Sequence, residues 1–219
     1  MKTKIIIFGN TEYSYMLAKY IEDTNHGSVL AFTVDKQYIN EPHLHEFDVI
    51  PFEEIKNYYS DNDIEFIIGI GYKSMNSVRE AIYNKIKRNN YKVGTFIHPN
   101  AIVEASEIGD GTIVLSGAYI GKNAKIGVAN IFWNHCNISH DAIIGDFNYF
   151  APSTTFGGFV TVKNKCFFGL GSIVRNGLTI SDSTLVGAGA YIDTNTEPHG
   201  VYVPARSTKL QHKSLDMNI

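Results

Sequence analysis

Cysteine is nearly absent: the 219 residues contain two, Cys136 and Cys166. Two thiols cannot make the disulfide framework of a small secreted domain. No apolar run reaches the roughly 18 residues needed to span a bilayer. The opening MKTKIIIFGN also lacks the long apolar segment and small-residue cleavage site of a signal peptide. A cytoplasmic chain with no membrane span is therefore expected. Basic charge is in deficit, with 19 Lys and Arg against 22 Asp and Glu and a net charge of −3. Such a chain offers no field to nucleic acid or anionic lipid. Low-complexity runs are missing, as are third and fourth ligands at zinc spacing, so no metal is expected.

What is present divides into two grammars. Up to residue 95, short apolar runs alternate with helical patterns. Lys4-Ile5-Ile6-Ile7-Phe8-Gly9 reads as a buried parallel strand. Tyr13 to Asp23 has apolar residues at helical spacing, with Thr11 as cap. Ser28 to Val34 reads as a second strand ending at Asp35, which completes a β-α-β unit. A short element near Val49-Ile50, a helix over Phe52 to Tyr58, a strand over Glu65 to Ile70 and a basic helix from about Ser74 to Asn89 continue it. A small Rossmann-like parallel sheet follows, binding ligands outside the carboxyl ends of its strands. Those ends are Gly9-Asn10-Thr11, Asp35-Lys36 and Gly71-Tyr72. After the first strand stands one glycine instead of G-x-G-x-x-G, which argues against a dinucleotide. A mononucleotide group fits the same place.

From residue 96 the grammar changes. Every sixth residue from Ile102 to Ile192 is apolar, through Ile108, Val114, Ile120, Ile126, Phe132 and onward. The residue four places later is nearly always small, Asn130, Asn148 and Leu178 being the exceptions. Glycine often follows the apolar position, where a side chain would clash or φ would be unusual. This is a hexapeptide repeat, the signature of a β-helix. Each unit cannot bury its large side chain alone, so stability comes from stacked coils. Three units per coil give about five coils with no break in phase. Cys136 and Cys166 lie five repeats apart, hence on different faces, and are read as small core residues. Phe96-Ile97-His98-Pro99-Asn100 forms the junction. After Ile192 comes a loop with Pro198 and Pro204, then a short polar tail.

Within the repeat, Asn134-His135-Cys136-Asn137-Ile138-Ser139-His140-Asp141 gathers proton-handling groups. His140 and Asp141 fall in variable positions that can face out of the coil. A histidine beside a carboxylate makes a reasonable general base, and a hydrogen bond within the turn is the bland alternative. His135 suits a turn-lining or subunit-contact role.

Together, the Rossmann-like half, the Ile-His-Pro-Asn junction, the hexapeptide coils, the Ser-His-Asp motif and the Val-Pro-Ala-Arg tail resemble a known group. It is that of the left-handed β-helix acyltransferases, the sialic-acid O-acetyltransferases and bacillosamine-type nucleotide-sugar N-acetyltransferases. The resemblance implies a Rossmann-like nucleotide-sugar-binding domain over residues 1–95 and a left-handed parallel β-helix with a C-terminal tail over 96–219. It implies a homotrimer with active sites in the grooves between neighbours. It further implies His140 as general base with Asp141 raising its basicity. Acetyl-CoA contacts would fall at Tyr149, Gly158, Leu170 and Ala188, with Pro204 and Arg206 near the cofactor's outer end. Substrate contacts would fall at Gly9, Asn10, Thr11, Asp35, Lys36, Gly71 and Tyr72. The segment Gly9-Asn10-Thr11-Glu12-Tyr13 departs from the group's glycine-rich loop.

The expected activity is acetyl-CoA-dependent N-acetylation of a nucleotide-linked 4-amino-deoxysugar for surface-glycan synthesis. Direct transfer would need no nucleophilic cysteine or serine. Acetylation of a sugar hydroxyl, or use of another acyl-CoA, would employ the same base.

Overall fold

In the computed structural model, residues 2–60, 64–209, 211 and 215 are described. The N-terminal sheet comprises β1 (Lys4–Phe8), β2 (Ser28–Val34), β3 (His43–Leu44), β4 (Phe47–Pro51), β5 (Ile64–Ile68) and β6 (Lys92–Val93). Its order is β3-β4-β2-β1-β5-β6, parallel except for the β3–β4 pair. Central β1 is apolar on both faces because it is covered on both. Ile5, Ile6, Ile7 and Phe8 are all buried.

The helices differ in detail from the sequence pattern. α1 (Glu12–Asp23) starts one residue before Tyr13, with Thr11 at its N-cap. The expected helix over Phe52 to Tyr58 is a 3-10 turn, Phe52–Glu54, followed by one α-helical turn, α2 (Ile55–Tyr58). α3 (Ser77–Arg88) begins three residues later than expected, because Ser74, Met75 and Asn76 all have positive φ and cannot continue a right-handed helix.

From Phe96 the chain winds into a left-handed parallel β-helix. Its three faces stack seven, six and five two-residue strands. The first face carries Phe96–Ile97, Ile113–Val114, Ile131–Phe132, Tyr149–Phe150, Phe167–Phe168, Leu185–Val186 and Val201–Tyr202. The second runs from Ile102–Val103 to Tyr191–Ile192, the third from Glu107–Ile108 to Thr179–Ile180. The helix is thus longer than the five coils expected. Phe96–Ile97 is already a rung, and Val201–Tyr202 returns to the first face after residues 193–200 loop past the third.

The phase is broken once. Val103, not Ile102, pairs with inward Ile120, and Ile102 is 60% exposed. The step from Val103 to Ile108 is therefore five residues, and the ladder begins at Ile97 and Val103. Two adjacent β-branched residues disguised the slip.

The glycines after the ladder positions serve close approach, not unusual φ. A Cβ on Gly109, Gly121, Gly157 or Gly169 would come within 2.5–2.7 Å of the next coil's backbone. Positive φ occurs elsewhere, at every sixth residue from Gly111 to Gly189, including Asn123, His135, Asp141, Phe147 and Phe159. Most are not glycine, and each non-glycine costs roughly 1–2 kcal/mol. The left-handed turn aims that residue's N–H at the coil below, as Asp141 N donates to Lys122 O (2.9 Å) and Phe159 N to His140 O (3.1 Å).

The two asparagine exceptions form a buried ladder. Asn130 donates to Gly145 O (2.8 Å), its Oδ1 accepts from Asn148 N (2.9 Å), and Asn148 Oδ1 accepts from Cys166 N (2.8 Å). Leu178, the third exception, is buried in the core. Cys136 and Cys166 are buried free thiols, and burial pushes them up to about 11 and about 12. Replacing Asn148 by Ala would orphan Cys166 N and Lys163 O, both bonded to its side chain. A loss of about 2–4 kcal/mol is expected, read as a lower urea midpoint at unchanged m-value.

Candidate active site

The carboxyl ends of β1, β2 and β5 open into a cavity of about 970 Å³. Gly9 forms the tight turn between β1 and α1 beside it. With φ at 140°, a Cβ there would lie 2.5 Å from Ser14 Oγ and 2.6 Å from Gly69 O. Ser14 Oγ in turn donates to Gly69 O (3.1 Å) and accepts from Thr11 N (3.4 Å), tying the start of α1 to the end of β5. Asn10 Nδ2 donates to Tyr38 O (3.1 Å), drawing the first two loops together. Gly71 has open space where a side chain would project.

Among the expected substrate residues, Asn10, Thr11, Asp35, Gly71 and Tyr72 line the cavity, whereas Gly9 and Lys36 do not. Lys36 turns away to Glu54 (3.0 Å). Asp35 is held by Lys85 Nζ at 2.5 Å. Among the described residues, Lys73 is the one cationic side chain in the lining.

The β-helix closes the cavity. Trp133 and Tyr149 line it beside Tyr13 and Tyr72. Tyr149 stacks on Phe167 (5.4 Å between centroids) and meets Tyr72 at 4.9 Å, while Tyr13 lies 5.6 Å from Trp133. The Tyr13 hydroxyl is buried without a partner among the described residues, and burial raises its pKa. Burial also pushes Tyr149 up to about 12. Both phenols are neutral at physiological pH. Tyr149, expected as a cofactor contact, thus stands in the wall of this cavity. Trp133 went unnoticed in the sequence, because the hexad marks which residues point inward and not what covers the others.

Arg79 fixes the two halves together and was equally hidden. Fully buried, it gives Nε to Ala129 O (2.9 Å), one Nη to Gly71 O (2.7 Å) and the other to Phe147 O (2.9 Å) and Asn148 O (3.0 Å). Burial lowers its pKa to about 10, which leaves it charged at neutral pH. Carbonyls on the β-helix and on the cavity loop are thereby joined through one guanidinium.

The second cluster lies elsewhere. His140 and Asp141 occupy the corner between the second and third faces. His140 Nδ1 is 2.8 Å from Asp141 Oδ2, and Asn123 Nδ2 donates to Asp141 Oδ1 (3.2 Å). The hydrogen bond to His140, then that to Asn123, lowers the Asp141 pKa. A carboxylate on Nδ1 leaves Nε2 as the free ring nitrogen. The Nε2 edge faces Gly158, where a Cβ would sit 2.7 Å from Cε1 and 2.8 Å from Nε2. Any side chain at 158 would cover the reactive edge.

The N-terminal domain packs on the first face and its flanking corners, through Arg79, the Tyr83–Phe147 contact and the Tyr13–Trp133 contact. His140 therefore lies at the opposite corner, across the coil from the cavity. The expected cofactor residues divide the same way. Gly158 adjoins His140; Leu170 and Ala188 occupy the corner between first and second faces; Tyr149 is on the first face. Pro204 and Arg206 follow the last rung and are exposed. Among the described residues no group of three or more His, Cys, Asp or Glu is placed to hold a metal ion. No described helix is long and apolar enough to cross a membrane.

Comparison with known proteins agrees with this architecture. Residues 4–86 match the family described as the PglD N-terminal domain. A GDP-perosamine N-acetyltransferase of Escherichia coli O157:H7 is 30% identical over 116 residues, 51% of each chain. A bifunctional protein GlmU of Clostridium botulinum (strain Kyoto / Type A2) is 28% identical over 183 residues, 76% of this chain and 40% of that one. The chain thus spans about half the length, or less, of these curated relatives. The acetyltransferase domain of PglB from Neisseria gonorrhoeae FA1090 superposes with a TM-score of 0.82 at 20% identity, covering 92% of this chain and 97% of that one. PerB from Caulobacter crescentus, solved in complex with CoA and GDP-perosamine, gives 0.81 at 22%, covering 92% and 94%. The resemblance to hexapeptide-repeat nucleotide-sugar N-acetyltransferases holds in the N-terminal domain and in the β-helix fold.

Trp133 is the only tryptophan of the chain. A ligand entering the cavity should change its emission, and Gly71→Leu, which projects a side chain into the open space, should abolish that change in a fluorescence titration with nucleotide sugars.

Proposed function

We propose that the chain is an acetyl-CoA-dependent N-acetyltransferase acting on the 4-amine of a nucleotide-linked deoxysugar. The observation that carries this reading is the exposed His140–Asp141 pair, its Nε2 edge kept clear by Gly158, on a chain that also holds a nucleotide-sized cavity. A relative named as a GDP-perosamine N-acetyltransferase, and a structural neighbour solved with CoA and GDP-perosamine, support an amino-sugar acceptor. In this reading residues 1–95 bind the nucleotide sugar and residues 96–219 form the transferase, in the cytoplasm, on a route to a surface glycan such as lipopolysaccharide.

The mechanism follows from the geometry. Asp141 accepts the Nδ1–H of His140 and so fixes the tautomer with a lone pair on Nε2. His140 Nε2 removes the proton from the sugar amine as nitrogen bonds to the acyl carbon, and Asp141 stabilises the imidazolium that results. Acetyl-CoA, when bound, supplies the activated thioester, whose C–S bond breaks as the amide forms, and the proton held on His140 Nε2 passes to the departing CoA sulfur. In this reading the backbone N–H of Gly158, the residue beside the His140 ring, donates toward the carbonyl oxygen.

Because His140 and the cavity lie across one coil from each other, a complete site needs a second copy, the cavity of one subunit facing the His140 corner of its neighbour. A homotrimer meets that need. Outward-facing Ile173 and Tyr191 on the second face, and Ile143 beside the His140 corner, give it exposed apolar surface to cover.

The test is release of free CoA thiol from acetyl-CoA with UDP-, dTDP- and GDP-linked 4-amino-deoxysugars and their 4-hydroxyl counterparts. One amino sugar should react, and His140→Ala should lower turnover by about 10²–10⁴-fold while leaving thermal melting unchanged. Reaction of a hydroxyl sugar alone would replace N- by O-acetylation, and silence with every acceptor would refute the reading.

A further inference from the structure

Phe159 carries a large aromatic ring at a left-handed corner, where its own chain leaves that ring largely uncovered. Its φ is 61°, a conformation that bulky side chains rarely adopt. Its side chain is 62% exposed, so burial does not offset the strain. The comparable Phe147, also left-handed, is buried beneath Tyr83.

Its position relative to the base is specific. Phe159 N donates to His140 O (3.1 Å), which sets it directly over His140 one coil on, and its ring meets the imidazole edge to face at 5.0 Å and 90°. It follows Gly158, whose missing side chain clears the Nε2 edge. The ring therefore borders the space that the bare glycine leaves open.

Distance then links it to the acyl group. A base within hydrogen-bond reach lies about 3 Å from the attacking nitrogen, and that nitrogen approaches the acyl carbon to about 3–3.5 Å. The acyl chain thus begins within roughly 7 Å of Nε2, in the region that the Phe159 ring bounds.

Building on the acyltransfer reading above, we infer that Phe159 is the wall that limits acyl length, making the enzyme select acetyl over longer acyl groups. A rigid apolar ring beside a short acyl group discriminates by exclusion. One methylene in such a pocket is worth about 10–200-fold.

The experiment compares kcat/KM for acetyl-, propionyl- and butyryl-CoA with one acceptor in wild type, Phe159→Gly and Phe159→Leu. Glycine keeps the left-handed turn free of strain, so the first variant preserves the backbone. Phe159→Gly should raise the butyryl-to-acetyl ratio at least about tenfold, with Phe159→Leu intermediate. Should Phe159→Gly not fold, Phe159→Leu alone must still shift the ratio. A change by the same factor for all three donors, or no change, would overturn the inference while leaving the transferase reading intact. A wild type silent with every donor would overturn both.

Discussion

The structure depends on one repeated constraint: each coil must close in three turns and still meet the coil below. The left-handed residue at every sixth position satisfies it, because its N–H reaches a carbonyl of the preceding coil, as from Asp141 to Lys122 and from Phe159 to His140. Once that turn is fixed, so are the corners, and chemistry is confined to the side chains placed on them. His140 and Asp141 are adjacent in one turn and need no long-range accident to meet. The same rule puts Asn123 one coil beneath Asp141, where its amide steadies the carboxylate.

The cavity is built by different physics. The turn after β1 relies on one glycine with positive φ, and Ser14 fills the space between Gly9 and Gly69. In place of a glycine-rich loop the chain presents aromatic walls, Tyr13 and Tyr72 from the sheet domain, Trp133 and Tyr149 from the β-helix. Arg79 keeps those two contributions in register by holding carbonyls of both. A buried guanidinium serving only carbonyls is exacting, since loss of any partner leaves a donor unpaired in a low-dielectric region.

This division explains what could be read in advance. A six-residue period is local, so the β-helix and the outward placement of His140 and Asp141 were legible. The slip between Ile102 and Val103 was not, because both residues are apolar and only the register of Val103 against Ile120 separates them. The loop ahead of α3 resembled helix, since Ser74, Met75 and Asn76 do not advertise positive φ. Arg79 gave no signal, since its acceptors on the β-helix lie 50 to 69 residues away. Tyr149 was named only as a cofactor contact that the resemblance implies, and nothing in the hexad says that a second domain covers it. Lys36 follows Asp35 of the cavity lining, but Glu54 pairs with its side chain outside the cavity.

Under the proposed function, the base and the cavity, on opposite sides of one coil, work together only across a subunit boundary. The most direct measurement is complementation. His140→Ala and the cavity-blocked Gly71→Leu are each assayed alone, then unfolded together, refolded as a mixture and assayed again for CoA release. Mixed assemblies should regain activity that neither parent has, because one subunit's intact histidine then faces its neighbour's open cavity. Two inactive parents that stay inactive after refolding, with mixed oligomers shown to be present, would rule out a site shared between subunits.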